Sequence, residues 1–172
     1  MSKPSSGLFS GTKGSRNRNT RTSSQRANNR EHVVSWAKRQ ASRLEKESKT
    51  QREKFNTATV VYDSKSGKYY YGRNGGIKKN NSPKNPILFG DKTHDGLLPK
   101  SSLNKYAVGN CSEVDAINKA LNAGAKLSDL HITTIHATKN SMGKSKRACE
   151  NCTHSFKGKV KRNYTGWHKE AK

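Results

Sequence analysis

Every cysteine of the chain belongs to one split pattern. Cys111-Ser112-Glu113 stands at the start of one predicted helix, and Cys149-Glu150-Asn151-Cys152 at the start of another. Three thiolates can hold a zinc ion and leave its fourth tetrahedral position open, the mark of a catalytic rather than a structural site. Glu113, two residues after Cys111, is placed to handle the protons of a water at that position. Cys149 and Cys152, at i and i+3, face the same side of a helical turn, while Cys111 comes from a separate helix start. Two helix N-termini aimed at one ion would stabilise the thiolates through their free amides and dipoles. The rival arrangement is a structural Cys₃His site, with His154, His136 or His131 as fourth ligand and Glu113 as an ordinary helix residue.

These residues need elements to hold them. The spacing predicts a helix over about Arg30 to Lys54, opened by a capping box at Asn28-Asn29-Arg30-Glu31 and carrying Val33, Trp36, Ala37, Ala41 and Leu44 as an apolar stripe. Thr57–Tyr62 reads as a strand from its β-branched content. Asp63–Gly67 has turn chemistry, and Lys68–Gly72 is the returning strand of a hairpin that Asn74-Gly75-Gly76 ends. Alternation places Tyr70 opposite Tyr69 and Tyr71, with core packing as their default role. Residues 77–106 read as a long irregular connection, in which His94 is a candidate pocket wall. Cys111–Leu121 is helical, with Gly124 as its stop. Leu130–His136 is a strand covered on both faces, residues 140–146 are a polar loop, and Cys149 to about Phe156 is the second cysteine helix. In the basic tail, Trp167 is a candidate to stack on nucleic acid or to cover the sheet.

The chain has 172 residues and a formal net charge of +23, with 29% hydrophobic residues. The charge is uneven: residues 1–30 hold seven basic side chains before Glu31 and no acidic one. Residues 1–28 therefore read as a basic flexible arm or linker and residues 29–172 as a folded domain. So large an excess favours polyanions, and nucleic acid first among them. No stretch is long and apolar enough to span a bilayer, and the N-terminus lacks the apolar region of a signal peptide. Three cysteines in this spacing suit metal or redox chemistry better than a disulfide framework.

Cys-Ser-Glu, the Val-Asp-Ala-Ile-Asn-Lys-Ala-Leu run that follows it, the next strand and the Cys-x-x-Cys together resemble the cytidine-deaminase-like superfamily. Within it they look most like the YwqJ-like deaminase domains at the C-terminal ends of bacterial polymorphic toxins. The resemblance covers about residues 30–156, with its specific part at 109–124 and 149–152. Many members carry His where this chain has Cys111 and Pro where it has Ala148. The resemblance implies a three-layer α/β/α fold with a mixed sheet and two zinc-binding helices, the remaining strand or strands coming from the tail. It implies Cys111, Cys149 and Cys152 as Zn²⁺ ligands and Glu113 as the proton shuttle of a hydrolytic deamination at C4 of cytosine or C6 of adenine. Ser112 and its neighbouring backbone are candidates to bond the exocyclic amine, and Asn74 to read the base edge or to serve as a turn residue. The expected function is a zinc-dependent deaminase acting on cytosine in nucleic acid, DNA before RNA. It would be the tip of a secreted or delivered bacterial toxin acting in the target-cell cytosol, without membrane insertion and with a cognate immunity protein. The alternatives are a nucleic-acid-binding module with a structural zinc, and a nuclease using some of His94, His131, His136 and His154.

Overall fold

A computed structural model describes residues 18–169. Helix α1 spans Arg18–Glu47, so it begins ten residues before the expected capping box, and Asn28 to Glu31 lie in its interior. The polar run that resembles a helix start is an anchor instead. Asn29 is fully buried; its Oδ1 accepts from Gln25 Nε2 at 2.7 Å, and its Nδ2 donates to the carbonyl of His131 at 3.1 Å. Residues 18–28 of the expected arm are thus helical, while residues 1–17 lie outside the described residues. The predicted helix is also broken near its end. Ser48 caps a second helix, α2 (Lys49–Lys54), by accepting the Gln51 N–H at 3.0 Å.

The sheet contains β1 (Thr57–Asp63), β2 (Lys68–Arg73), β3 (Leu130–His136) and β4 (Arg162–Asn163), in the order β2-β1-β3-β4. β1 pairs antiparallel with β2 and with β3, whereas β3 and β4 are parallel, so the sheet is mixed. Asp63 shapes the hairpin turn by accepting from Lys65 N and Ser66 Oγ, and Gly67 supplies its left-handed residue (φ 77°). Among the described residues, the tail contributes to the sheet the two residues of β4. Beyond them the edge of β3 is completed by residues 143–146, through His136 N to Lys144 O (2.8 Å) and Lys146 N to Thr134 O (2.9 Å).

Period-two alternation sorts the strand residues into two cores. On one face Val60, Ala58 and Ile135 pack with Val33, Ala37, Ala41 and Leu44 of α1; Trp36 lies edge-on to Phe55 and stacked on Tyr71. On the other face Val61, Leu130 and Ile132 pack with α5 (Ser112–Asn122) and α6 (Glu150–Phe156). The protein is therefore a mixed α/β domain with helices on both sides of a four-stranded sheet. Tyr69 and Tyr71 face α1 and Tyr70 faces the α5 side, all three packed against cores. Trp167 also packs on the α5–α6 core.

The connection expected to be irregular holds two short helices, α3 (Gly76–Asn80) and α4 (Pro86–Phe89). Asn85 caps α4 ahead of Pro86 at its first turn, and Leu88 and Leu98 are buried. Helices of four and five residues are too short to show a period.

Candidate metal centre and its pocket

Cys111 and Cys149 are the N-cap residues of α5 and α6, with extended backbones (ψ 149° and 176°) and no side-chain cap bond. Each thiol therefore sits where a helix leaves amides unpaired. Cys152, one turn into α6, is fully buried. The three sulfur atoms lie within 4.8 Å of one another, Cys111 Sγ and Cys149 Sγ at 3.0 Å. Tetrahedral Zn–S bonds of about 2.3 Å require S···S edges of about 3.8 Å, so small side-chain rotations let this group close on an ion. A soft, all-thiolate donor set suits zinc.

Cys149 accepts from both neighbouring thiols. Hydrogen bonds from the Cys111 and Cys152 thiols, then the amides of Cys152 and Asn151, hold its pKa far below the ordinary thiol value. Cys111 and Cys152 are pushed up, each first by its bond to a neighbouring cysteine.

Among the described residues, the group within ligating distance contains these three cysteines and no histidine or carboxylate. His154 is exposed. His131 Nδ1 bonds the Tyr164 hydroxyl at 2.8 Å. His94 is exposed beside Asp91 at 3.4 Å and does not wall the pocket. The histidines proposed for a structural zinc or a nuclease do not converge. His136 lines the pocket, its pKa lowered by burial and by Lys146 and Lys144, so it stays neutral at pH 7.

Cys111, Cys149 and Glu113 line one cavity of about 200 Å³, with Ser112, Asn74, Asn110, Tyr106, His136, Lys146 and Arg147 among its walls. Drug-sized sites run to about 300–1,000 Å³; this one suits a single planar ring. Glu113 is 4% exposed. Its pKa is raised to about 7, first by burial and then by the Cys149 charge, against the opposing pull of its own amide, Lys146 and Thr134. Such a carboxyl can both take and return a proton at neutral pH.

Beneath it runs a chain of buried hydroxyls. Thr59 Oγ1 meets Ser112 Oγ and Thr134 Oγ1, both at 2.7 Å, and Ser112 Oγ donates to Glu113 Oε1 at 3.4 Å. Ser112 is thus at the pocket floor, its hydroxyl bonded to Thr59 and 3.4 Å from Glu113 Oε1. Asn74 is at the wall, but its Oδ1 accepts from both Asn56 N and Thr57 N and its Nδ2 donates to Lys54 O. It pins the α2–β1 junction against the hairpin end while lining the cavity. Gly75 N then bonds Asn110 O at 2.8 Å, tying this wall to the residue before Cys111.

Sequence reasoning missed Tyr106, Lys146 and Arg147. The last two directly precede Ala148-Cys149, a signal available in the sequence; Tyr106 sits in a segment without periodicity. Tyr106 is 55% exposed at the mouth. Its loop is fastened to α6 by Asn151, whose Oδ1 accepts from Leu103 N (2.9 Å) and whose Nδ2 donates to Ser102 Oγ (3.1 Å).

Compared with known proteins, the chain matches no family model, no curated protein and no solved structure. No helix among the described residues is long and apolar enough to cross a membrane.

Proposed function

We propose that this protein is a zinc-dependent hydrolytic deaminase of the cytidine-deaminase-like kind, acting on cytosine within nucleic acid. The observation that carries the reading is a cluster of three thiols, with no fourth ligand among the described residues, two of which, Cys111 and Cys149, stand in the wall of a cavity that also holds the buried Glu113. A structural zinc needs its fourth protein ligand, and a binding module has no use for a desolvated carboxyl beside an open coordination position.

Zinc, when bound by Cys111, Cys149 and Cys152, supplies a Lewis acid for water activation. The residues around it do the rest. The pocket has room for one ring, and the Thr59–Ser112 hydroxyls lie beneath the Glu113 carboxyl. Glu113 takes a proton from the attacking water and delivers protons to the ring nitrogen and then to the departing amine. The C4–O bond forms and the C4–N bond breaks, so cytosine and water become uracil and ammonia. Lys146 and Arg147 at the rim are suited to phosphate, and the net charge of +23 favours a polymer over a free nucleoside. Delivery as a toxin tip, with an acidic immunity protein over the site in the producing cell, completes the proposal.

The test is mass spectrometry of nucleosides digested from single-stranded DNA, duplex DNA and RNA after incubation with the zinc-loaded chain, with Glu113→Gln alongside. Uracil from the wild type alone is the expected result and names the polymer, whereas hypoxanthine would overturn the choice of cytosine. Intact bases in shortened strands, or full activity of a zinc-loaded Glu113→Gln chain, would refute it.

A further inference from the structure

A second concave surface lies at the open edge of the sheet, away from the cysteines. It is a groove of about 440 Å³ lined by Arg26 of α1, by Lys157 and Val160 of the turn after α6, by Lys161 and Arg162 entering β4, and by Trp167. All four charged side chains are cations, and among the described residues none of them forms an ion pair. Arg26 is held in place: its guanidinium donates to Tyr164 O at 2.9 Å and stacks 4.9 Å from the Tyr164 ring. Unpaired cations gathered in a groove with a rigid aromatic wall form a site for a polyanion rather than a solvated face.

The groove is linked to the pocket through the backbone. After β4 the tail follows β3 in parallel, and Gly166 accepts the Ala148 N–H at 2.9 Å. That joins Trp167 of the groove to Arg147, Lys146 and Cys149 of the pocket. Arg162 pairs with His131, and His136 at the pocket lies five residues further along β3. At about 3.3 Å per residue this is roughly 16 Å, a distance that a single strand of a few nucleotides can bridge.

We propose that this groove binds the sugar–phosphate backbone of the same nucleic-acid strand whose target base is held in the pocket. This rests on the reading of the pocket as a nucleobase site. A strand fixed at both places would have its target base presented by tension between two anchors, and oligomers too short to reach the groove would lose affinity.

The experiment is fluorescence anisotropy of labelled single-stranded oligonucleotides of four and twelve nucleotides against the full zinc-loaded chain, over a salt series. Wild type is compared with Lys161→Gln/Arg162→Gln and, as a second variant outside the strand, Lys157→Gln. For the twelve-mer, the slope of log K against log salt should flatten by about 1.4 in the double variant and about 0.7 in Lys157→Gln, at about 0.7 per lost phosphate contact. The four-mer, with fewer phosphates to place in the groove, should show smaller changes of slope. Unchanged slopes overturn the proposal, as does an unchanged slope with self-association of the double variant, which would make these cations guards of an exposed strand edge. Binding is read without turnover. Deamination with unchanged slopes removes the groove alone; flattened slopes without deamination remove the enzyme reading alone.

Discussion

The carbonyl oxygen of Ser112 lies directly over Gly72 of β2, so close that a Cβ at residue 72 would fall nearer than 3.0 Å to it and to the Ala116 amide nitrogen. The first turn of α5 rests on bare backbone there. That contact sets the height of Cys111 and Glu113 above the sheet, because both belong to the turn that Gly72 admits.

Gly72→Ala should therefore act on the site from the far side of the helix. The neighbours it meets are backbone and cannot swing away, so overpacking costs about 1–3 kcal/mol. Lifting α5 also separates Cys111 from Cys149. We expect a lowered urea midpoint, weaker zinc retention in a chelator titration and a reduced kcat. Normal zinc affinity and kcat in the variant would show that α5 is not positioned by this contact.

Asn151 is the residue through which the cysteine helix holds the mouth of the pocket. It is buried between Cys149 and Cys152, and its side-chain bonds run outward to Ser102, Leu103 and Asn104, the loop that presents Tyr106. Asn151→Ala leaves the Leu103 amide unpaired, a cost of about 1–3 kcal/mol. It should raise KM while leaving zinc content and kcat near wild type. Tyr106→Ala should raise KM by about tenfold if a base stacks there, at about 1–3 kcal/mol per stacked base, and Tyr106→Phe should restore it. Equal loss in kcat and KM for Tyr106→Ala would place the residue in the chemical step instead.

The elements beneath the site were legible because strong local patterns coincide with packing. Val33, Ala37, Ala41 and Leu44 repeat at the helical period and are buried together. The β-branched run at Thr57 and the turn residues at Asp63–Gly67 give the hairpin in register. The cysteines were legible because their spacing fits helix starts. What failed was set by distant partners. Asn29 looks like a cap until the His131 carbonyl is known to receive it. The bonds of Asn74 to three backbone groups, which tie the hairpin end to α2 and β1, leave no mark in the local pattern either. Helices α3 and α4 and the two-residue β4 are stabilised by what they touch and leave no period to read. Lys146 and Arg147 reach the pocket only because residues 143–146 run along β3.

Metal should support the fold as well as the reaction, because its ligands join α5 to α6. At a hundredfold excess of free zinc over Kd, binding contributes about 2.7 kcal/mol, and removing it should lower Tm by roughly 5–10 °C for a chain of this size. Cys149→Ser should lose stoichiometric zinc in elemental analysis, and its Tm should no longer respond to chelator. Undiminished zinc in that variant would refute the ligand assignment.

Asp115 gives a pH signature separate from the metal. It is fully buried on α5, accepts from Arg73 N at 2.9 Å and meets Lys119 at 3.6 Å, yet its Oδ1 has no partner. Burial raises its pKa, against the pull of Lys119 and of the Arg73 amide. Its protonated form is thus favoured by folding. The stability it contributes is complete below the unfolded value of about 3.9 and is lost as pH rises through the higher folded value. Asp115→Asn keeps an acceptor for the Arg73 amide without a charge to desolvate. Urea unfolding of both proteins in excess chelator should show the variant gaining on the wild type between pH 4 and pH 7. A difference that does not change with pH would mean that Asp115 ionises as easily in the fold as outside it, with Lys119 offsetting its burial in full.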